Sequence, residues 1–312
     1  MMGKDESVRL RRSSIVVVGS ANVDLVVRTE RHPAPGETLL GTQFSVHRGG
    51  KGANQAVAAA RAGVSVVMIG RLGEDDYGSL LRAGLRFEGI DDRFVGTCRH
   101  DPTGVALITV VDSGENTIVV VPGANALLRE VHIRDAAEAD VFVDSAVVLA
   151  QLEVPLAAVR VAFEYGREHG ARTILNAAPA MSVPLDVAIL TDILIVNEHE
   201  LQEMTGVSEL NLALSAARAT YPYVIATLGA AGARMIADGI DMTIPGHKPL
   251  VVDTTGAGDA FCGVFAASLC SGMTLDTALR RANAAGALAT TVSGAQPSAP
   301  SETAVNAYLA KE

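Results

Sequence analysis

The chain has 312 residues, of which 49% are hydrophobic and 19% are charged, with a formal net charge of −10. This length suits one large α/β domain, or a main domain with a small appendage. The negative charge argues against a protein that binds nucleic-acid phosphates. No stretch approaches the roughly 18 uninterrupted apolar residues of a membrane-spanning helix, so no membrane partner is expected.

The first 13 residues carry charges but lack the apolar core of a signal peptide, so we predict a flexible tail followed by one domain over residues 14–312. The cysteines, Cys98, Cys262 and Cys270, are odd in number and show no C-x-x-C spacing. This pattern favours reduced thiols in a cytoplasmic protein over a disulfide framework or a zinc cluster.

Six short apolar runs predict buried strands: SIVVVG (14–19), VSVVMIG (64–70), SAVVLAQ (145–151), RTILN (172–176), DILIVN (192–197) and YVIATLG (223–229). Alanine-rich segments predict helices, notably over residues 53–62, 77–87, 155–169, 211–219 and 257–270. Because strands and helices alternate, the sequence predicts an α/β fold of three layers, with a parallel sheet covered by helices on both faces.

Two segments interrupt that alternation. Residues 24–47 and 103–121 alternate polar and apolar side chains with period two, and they contain the turn sequences HPAPGET and DSGEN. We predict that these inserted segments pair as one small β-sheet and form a lid over the main domain. A lid of this kind excludes water from a site.

Polar residues follow the predicted strands at their carboxyl ends, which is where open parallel sheets bind ligands. Segment 251–253, VVD, is also interpreted as a strand end. The polar or small residues placed at this edge are Asn22, Asp24, Glu153, Asn197, Thr227, Gly229 and Asp253. Asn22 and Asp24 lie two apart in an extended segment, so they are expected to face the same side.

The segment DTTGAGDAFCG (253–263) places small residues before a predicted helix. A helix that begins near Ala257 presents unpaired N–H groups and a partial positive charge, so it favours an anion. Gly256, Ala257 and Gly258 would let a phosphate approach the backbone closely. This arrangement predicts phosphate binding at the start of the helix.

Asp259 lies in the first turn of the same helix. A helical wheel puts it opposite an apolar stripe of Phe261, Val264, Phe265 and Leu269. The carboxylate could simply complement the helix dipole. Beside a phosphate it would also serve as a general base for a substrate hydroxyl, which makes phosphoryl transfer the reaction to test.

Several familiar motifs are missing from the sequence. It contains no G-x-x-x-x-G-K-[ST], no protein-kinase signatures and no G-x-G-x-x-G after the first strand, which disfavours a dinucleotide-dependent oxidoreductase. It also contains no G-x-S-x-G and no H-E-x-x-H, and His199 is interpreted as a surface residue.

Two longer motifs resemble the signatures of the ribokinase-type carbohydrate kinases, the PfkB family: GGKGANQAVAAARAG (49–63) and DTTGAGDAFCGVFAASL (253–269). Shorter similarities are GSANVD, PAPGET, TGVALI, GAN, QLE, NEHE, TLGAAG and SGAQPS. The resemblance runs from about residue 15 to the C-terminus.

The resemblance implies roles for individual residues. Asp259 would be the catalytic base, and Gly256, Ala257 and Gly258 would form the anion hole. Sugar-binding positions would be Asn22, Asp24, Gly50, Lys51, Asn54 and Glu153. Without the motif, Lys51 would be interpreted as a solvated loop lysine. Gly49 and Gly50 would be interpreted as a tight turn with positive φ.

The same resemblance implies nucleotide and metal sites. Nucleotide contacts would come from Asn197, Thr227, Gly229, Gly232 and Asn283, and Mg²⁺ would be held by Asn197 and Glu200, largely through water and phosphate. The Asn197–Glu200 pattern is equally typical of a helix cap. A K⁺ site would be built from Asp253, Thr255, Ala289, Val292, Gly294 and Ser298, mainly through carbonyl groups.

The implied activity is transfer of the γ-phosphoryl group of ATP to the 5-hydroxyl of D-ribose. Related kinases act on deoxyribose, fructose, nucleosides or keto-sugar acids, and a non-catalytic sugar or nucleotide sensor is the alternative from another class. The resemblance also implies a homodimer formed through the lid, because an apolar lid face would otherwise be exposed.

Overall fold

The structure, a computed structural model, describes residues 14–311, so the tail predicted over residues 1–13 lies outside the described residues. The strands within this range are β1 (Ser14–Val18), β2 (Asn22–Thr29), β3 (Gln43–Gly49), β4 (Ser65–Gly73), β5 (Asp91–Cys98), β6 (Gly104–Val111), β7 (Asn116–Val121), β8 (Ser145–Gln151), β9 (Arg172–Asn176), β10 (Ile193–Asn197), β11 (Tyr223–Thr227), β12 (Gly232–Ala237) and β13 (Ile240–Pro245).

The α-helices of the same range are α1 (Lys51–Arg61), α2 (Asp76–Phe87), α3 (Glu130–Glu138), α4 (Leu156–Glu168), α5 (Leu185–Ala188), α6 (Glu198–Thr205), α7 (Leu210–Arg218), α8 (Ala257–Cys270), α9 (Leu275–Ala289), α10 (Ala295–Ser298) and α11 (Glu302–Leu309). None of the helices in the described part of the chain combines the length and apolarity needed to cross a membrane. The six predicted strands are present, and the five predicted helices agree with observed helices to within two residues at each end.

A nine-stranded sheet forms the centre of the fold, in the order β13-β12-β11-β10-β9-β8-β1-β4-β5. Residues of β1 alternate between two apolar cores: Ile15 and Val17 pack on one face, and Val16 and Val18 pack on the other. The predicted α/β fold, with helices over both faces of the sheet, is therefore confirmed.

The six predicted strands pair parallel, as expected. Two further strands, β12 and β13, extend the sheet antiparallel beyond β11. Only Leu228 to Ala231 separate β11 from β12, and such a short connection cannot hold the crossover helix that parallel strands require.

The strand interpretation of segment 251–253 is also wrong. Val251 and Val252 are 57% and 62% exposed, and the segment pairs with no strand. The N–H groups of Val252 and Asp253 donate instead to the carbonyl oxygen of Thr290, at 2.8 and 3.1 Å. Asp253 is therefore positioned by Thr290, the residue that follows α9.

The second sheet has four strands in the order β3-β2-β6-β7. The two segments that supply it, 24–47 and 103–121, meet where β2 and β6 pair in parallel, with Asp24 opposite Ala106. The predicted small second sheet is therefore present. Every residue of β7 is exposed.

Helix α8 is buried over most of its length. Its residues from Asp259 to Ser268 are all buried, and it contacts both α1 and α9. A Cβ added at Gly263 would lie 2.5 Å from the carbonyl oxygen of Gln55, so the face opposite the apolar stripe packs tightly on α1. Asp259 therefore meets side chains of α1.

Candidate active site

The start of helix α1 is capped by residues distant in the chain. Its N-cap residue, Gly50, has a φ of 87° and no capping side chain. The N–H of Lys51 donates to the Glu153 carboxylate at 3.1 Å, and Ser20 Oγ donates to the same carboxylate at 2.5 Å. Ser20 Oγ also accepts from Gly52 N at 3.3 Å. The unpaired N–H groups and the positive end of α1 thus hold Glu153 in place.

A cavity of about 540 Å³ lies between this helix start and the small sheet. Its polar wall includes Asn22, Lys51 and Glu153, and its apolar wall includes Ile118 and Val120 of β7. Three of the six predicted sugar residues therefore line one cavity beneath the small sheet, whereas Asp24, Gly50 and Asn54 are not among its lining residues.

Asn125 orients Asn22, although the sequence analysis did not assign it a role. Its side-chain amide donates to Asn22 Oδ1 at 2.7 Å, and its Oδ1 accepts from Ala21 N at 3.0 Å. The short motif GAN, which contains Asn125, was the available signal.

Asp24 lies close to two other carboxylates. Burial, followed by the charges of Glu153 and Asp259, raises the pKa of Asp24 to about 7. A Cβ added at Gly49 would meet the Asp24 carboxylate. Gly49 is therefore required for this close approach, and only Gly50 of the predicted turn has a positive φ.

Replacement of Asp24 by asparagine should change how stability depends on pH. In the unfolded chain Asp24 titrates near pH 3.8, whereas in the folded protein it does so near 7. Between these two pH values only the folded state keeps the proton on Asp24. The free energy of unfolding of the unaltered protein therefore falls as the pH rises towards 7, and the Asp24 contribution is constant at higher pH. We expect the stability of Asp24→Asn, relative to the unaltered protein, to rise by roughly 1–3 kcal/mol from pH 5 to pH 8.

Urea unfolding of both proteins at pH 5 and pH 8 measures this difference. Asp112→Asn, which removes an exposed carboxylate in the turn between β6 and β7, is the control and should show no such slope. Parallel stability curves for Asp24→Asn and the unaltered protein would contradict the raised pKa.

Asp259 is 9% exposed and is held by two amides of α1. Asn54 Nδ2 donates to its Oδ2 and Gln55 Nε2 donates to its Oδ1, both at 2.9 Å. The carboxylate keeps lone pairs beyond the two that accept these bonds, so it can still take a proton.

Lys51 is the first residue of α1 and is half-buried, so the solvated-loop interpretation is wrong. Burial acts to lower the pKa of Lys51, but the carboxylates of Asp259 and Glu153 outweigh it and the pKa is raised. The ammonium group therefore stays charged and offsets the negative charge of this region.

The predicted anion-binding residues lie where two further cavities meet. Gly256, the N-cap of α8, has a φ of 78°, and an added Cβ would lie 2.7 Å from Ala295 Cα. Gly258 lines both cavities, and a Cβ there would have no atom within 4 Å. The N–H groups of the first turn of α8, which lack partners within the helix, belong to this junction. The geometry suits a group with several negative oxygens.

The larger of these cavities, about 300 Å³, is mostly apolar. Four of the five predicted nucleotide residues line it: Thr227, Gly229, Gly232 and Asn283. Asn283 also donates to the carbonyl oxygen of Pro245 at 2.8 Å, which ties α9 to the end of β13. The shape and position of this cavity suit the base and ribose of a nucleotide.

The other cavity, about 230 Å³, is polar and contains Lys51, Asn197, Glu200 and Asp259. Asn197 and Glu200 form a capping box, in which Glu200 N donates to Asn197 Oδ1 at 2.7 Å and Asn197 N donates to Glu200 Oε2 at 2.8 Å. Burial raises the pKa of Glu200 against the opposing effects of the Asn197 N–H and Lys51. The helix-cap interpretation thus describes the local structure, and the same two side chains face the candidate phosphate site.

Two of the predicted cation residues, Thr255 and Gly294, contact the carboxylate of a third, Asp253. Asp253 accepts from Thr255 N at 2.9 Å and from Gly294 N at 2.8 Å. Burial acts to raise the pKa of Asp253, but these hydrogen bonds outweigh it and the pKa is lowered. Two carbonyl groups of the predicted set already accept hydrogen bonds, Ala289 O from Val292 N at 3.3 Å and Gly294 O from Ser298 N at 3.3 Å.

Across residues 14–311 no group of three or more histidine, cysteine, aspartate and glutamate side chains could hold a metal ion. A divalent ion would therefore need ligands from phosphate and water. His199 lies outside the cavities, and its side chain is 76% exposed, as expected from the sequence.

The model of the family described as pfkB family carbohydrate kinase matches residues 12–302. The chain belongs to this family. It is 38% identical to ribokinase of Haemophilus influenzae over 296 residues, covering 93% of this chain and 96% of that protein. It is 36% identical to deoxyribokinase of Salmonella typhi over 302 residues, covering 95% of this chain and 98% of that protein.

A solved structure of Arabidopsis thaliana ribokinase complexed with ribose and ATP is similar to this pfkB family kinase, with a TM-score of 0.88 and 32% identity. The similarity covers 95% of this chain and 98% of the other. The predicted family and enzyme class, an ATP-dependent carbohydrate kinase, are therefore confirmed.

Several polar side chains of this pfkB family kinase were given no role from the sequence, because they reach the site from elements that are distant in the chain. Gln55 lies inside the GGKGANQ motif, and Asn176 ends the predicted strand RTILN, so both had a signal. Gln151 ends the predicted strand SAVVLAQ, and Ser20 directly follows the predicted strand SIVVVG. Their roles depend on contacts that only the folded chain creates.

Proposed function

We propose that this kinase transfers the γ-phosphoryl group of ATP to the 5-hydroxyl of D-ribose, giving ribose 5-phosphate and ADP. The observation that carries the proposal is the position of Asp259. Its carboxylate lies in the polar cavity, which shares Lys51 with the cavity beneath the small sheet and Gly258 with the nucleotide cavity.

In the proposed reaction, Asp259 takes the proton of the sugar hydroxyl. The hydroxyl oxygen then forms a bond to the γ-phosphorus while the bond between that phosphorus and the bridging oxygen of ADP breaks. The first turn of α8 and Lys51 stabilise the charge on the transferring group. Asn22, Asp24, Asn54 and Glu153 supply amide and carboxylate groups for the sugar hydroxyls.

Mg²⁺ suits the polar cavity, because Asn197 and Glu200 offer oxygen ligands beside the candidate phosphate site. Bound there with ATP, the ion would neutralise phosphate charge. We also propose activation by K⁺ at the residues around Asp253, since carbonyl-rich loops suit a large monovalent cation. The hydrogen bonds from Thr255 and Gly294 pre-order that segment.

The small sheet is proposed to act as a lid, because Ile118 and Val120 cover one side of the sugar cavity. Closure of the sheet would exclude water from the transferring phosphoryl group. We place the enzyme in the cytoplasm, where ATP is available. The three cysteines, which form no disulfide, suit that compartment.

The function is tested by ADP release from MgATP with ribose, 2-deoxyribose, fructose, adenosine, pseudouridine or 2-keto-3-deoxygluconate, each in K⁺ or Na⁺. The highest kcat/KM with ribose, together with faster turnover in K⁺, would support both proposals. A preference for 2-deoxyribose, the second candidate given the Salmonella typhi relative, would keep the mechanism and change the substrate.

Equal rates in K⁺ and Na⁺ would overturn the cation proposal alone. The absence of turnover with every sugar, combined with thermal stabilisation by ribose and ATP, would favour the sensor function.

We also propose a homodimer formed through the small sheet. One face of this sheet carries an apolar row across all four strands, formed by Val46, Leu25, Leu107 and Val119. Val46, Leu107 and Val119 are 40%, 48% and 60% exposed. A second copy of the chain would bury this row, which faces away from the sugar cavity.

We expect Val119→Asp to convert a dimer into a monomer, because it places a charge in the apolar row of the proposed interface. Sedimentation equilibrium at micromolar concentrations measures the mass. Val131→Asp on α3, where Val131 is 52% exposed, is the matched control and should remain dimeric. A monomeric unaltered protein, or a dimeric Val119→Asp, would refute this interface.

A further inference from the structure

A buried chain of side-chain amides connects the candidate base to the central sheet. Gln55 and Gln151 are both fully buried. Gln151 Nε2 donates to Gln55 Oε1 at 2.6 Å, and Gln55 Nε2 donates to Asp259 Oδ1 and to Asn176 Oδ1, both at 2.9 Å. Asn176 Nδ2 in turn donates to the carbonyl oxygen of Ile195 at 3.1 Å. The chain joins β8, α1, α8, β9 and β10.

This chain determines which way the Gln55 amide points. The ionised Asp259 carboxylate offers only acceptor oxygens, so the Gln55 NH₂ group must face it, and the Gln55 oxygen is left to accept from an amide N–H of Gln151. The Gln151 side-chain oxygen has no hydrogen-bond partner within the described residues. The opposite orientation would place NH₂ against NH₂ and oxygen against oxygen at three contacts. Buried polar groups without partners are costly, so a single arrangement is favoured.

We propose that Gln55 is a positioning residue for phosphoryl transfer, which orients the Asp259 carboxylate towards the sugar hydroxyl. A hydrogen bond to a carboxylate is stronger than one between neutral groups. With Asn54 on the other oxygen, the carboxylate cannot rotate without breaking a bond. Gln151 acts one step further back, by holding the Gln55 amide in the donating orientation. The proposal rests on the proposed phosphoryl transfer.

Gln55 is distinguished from the charged groups around Asp259 by its lack of charge. The charge of Asp259 acts on four titratable groups around it: Asp24 on β2, Lys51 on α1, Glu200 on α6 and Cys262 on α8. Glu153 acts on the same Asp24 and Lys51. The structure assigns Gln55 a directional effect on one oxygen, whereas these groups act through their charge or polarity.

The primary test is Gln55→Leu, assayed with MgATP and the sugar that the unaltered enzyme prefers. We expect kcat to fall by about 10- to 100-fold, as for the loss of a hydrogen bond to a charged group. The KM values for sugar and ATP should stay within about threefold, because Gln55 lines none of the three cavities. An unchanged kcat in a folded Gln55→Leu protein would overturn the proposal.

A pH profile separates positioning from general support of the fold. In Gln55→Glu the acceptor for Gln151 is kept, but a second carboxyl group faces Asp259. Like charges oppose ionisation of the pair, so the acidic limb of the kcat profile should move to higher pH by at least about half a unit. An acidic limb that does not move would contradict the assigned contact, and this variant decides the matter if Gln55→Leu does not fold.

A double-mutant cycle tests the chain itself. Gln151→Met should lower kcat in the same direction but less strongly, and the Gln55→Leu, Gln151→Met pair should lose no more than Gln55→Leu alone. Additive losses would overturn the indirect role of Gln151.

Ser145→Ala is the matched control, because it removes a buried hydrogen bond, Ser145 Oγ to Phe142 O at 2.9 Å, at the opposite end of β8. It should reduce stability and leave kcat unchanged. If the unaltered enzyme phosphorylates no sugar, the proposed function fails. If it is active and the Gln55 variants match it, only this inference fails.

Discussion

Replacement of Asp259 by asparagine is expected to lower kcat by about three to four orders of magnitude while sugar affinity changes by only a few-fold. The asparagine side chain cannot accept the hydroxyl proton. It also carries one acceptor oxygen where the carboxylate has two, so one of the donors, Asn54 or Gln55, loses its partner. Initial rates of ADP release give kcat, and isothermal titration with sugar gives the affinity.

Asp276→Asn is the matched control for this variant. Asp276 also lies in the first turn of a helix, α9, but its side chain is 44% exposed and pairs with Arg280 at 2.9 Å. If Asp259 merely complemented the dipole of α8, the two variants would behave alike, with small losses of stability and normal turnover. Near-normal turnover of Asp259→Asn would remove Asp259 as the base.

The second large effect is expected from Gly258→Ala, which should lower kcat by about 100-fold or more without loss of stability. An added Cβ meets no protein atom within 4 Å, and alanine favours a helix over glycine by up to about 1 kcal/mol. The new methyl group would occupy space at the junction of the two cavities, where the transferring phosphoryl group is proposed to lie. Steady-state kinetics and thermal unfolding of the same preparation measure both quantities.

Gly256→Ala provides the contrast. Its φ of 78° is unfavourable for alanine, and the new Cβ would lie 2.7 Å from Ala295 Cα, so this variant should lose both stability and turnover. Full turnover in Gly258→Ala would show that the phosphoryl group does not approach the backbone there. A loss of stability in that variant would show instead that the site is more crowded than the structure indicates.

The sequence predicted the local features of this protein well. The six β-branched runs became strands, because short apolar segments of that kind have few other ways to be buried. Helix α8 begins and ends at the predicted residues, Ala257 and Cys270. The two period-two segments became the small sheet, because alternating side chains suit strands that are covered on one face.

Features that depend on what packs against a segment were not predictable in the same way. The valines at 251 and 252 look like a strand but are exposed, and their segment bonds to the end of α9. The face of α8 opposite its predicted apolar stripe is covered by α1, because Gly263 and Ala58 allow the two helices to approach closely. Sequence periodicity describes one helix or strand at a time, whereas the exposure of segment 251–252 and the packing of α8 depend on how two elements meet.

The sequence by itself determined the family, six strands of the large sheet, five helices and the identity of the candidate base, because motifs and periodicity are local properties of the chain. Only the tertiary structure decided how that base is held. Gln55 lies 204 positions from Asp259 in the chain and 96 from Gln151, yet one buried amide joins them. Such a connection is favourable only after folding has removed water from all three groups, since a buried amide must find its partners within the protein.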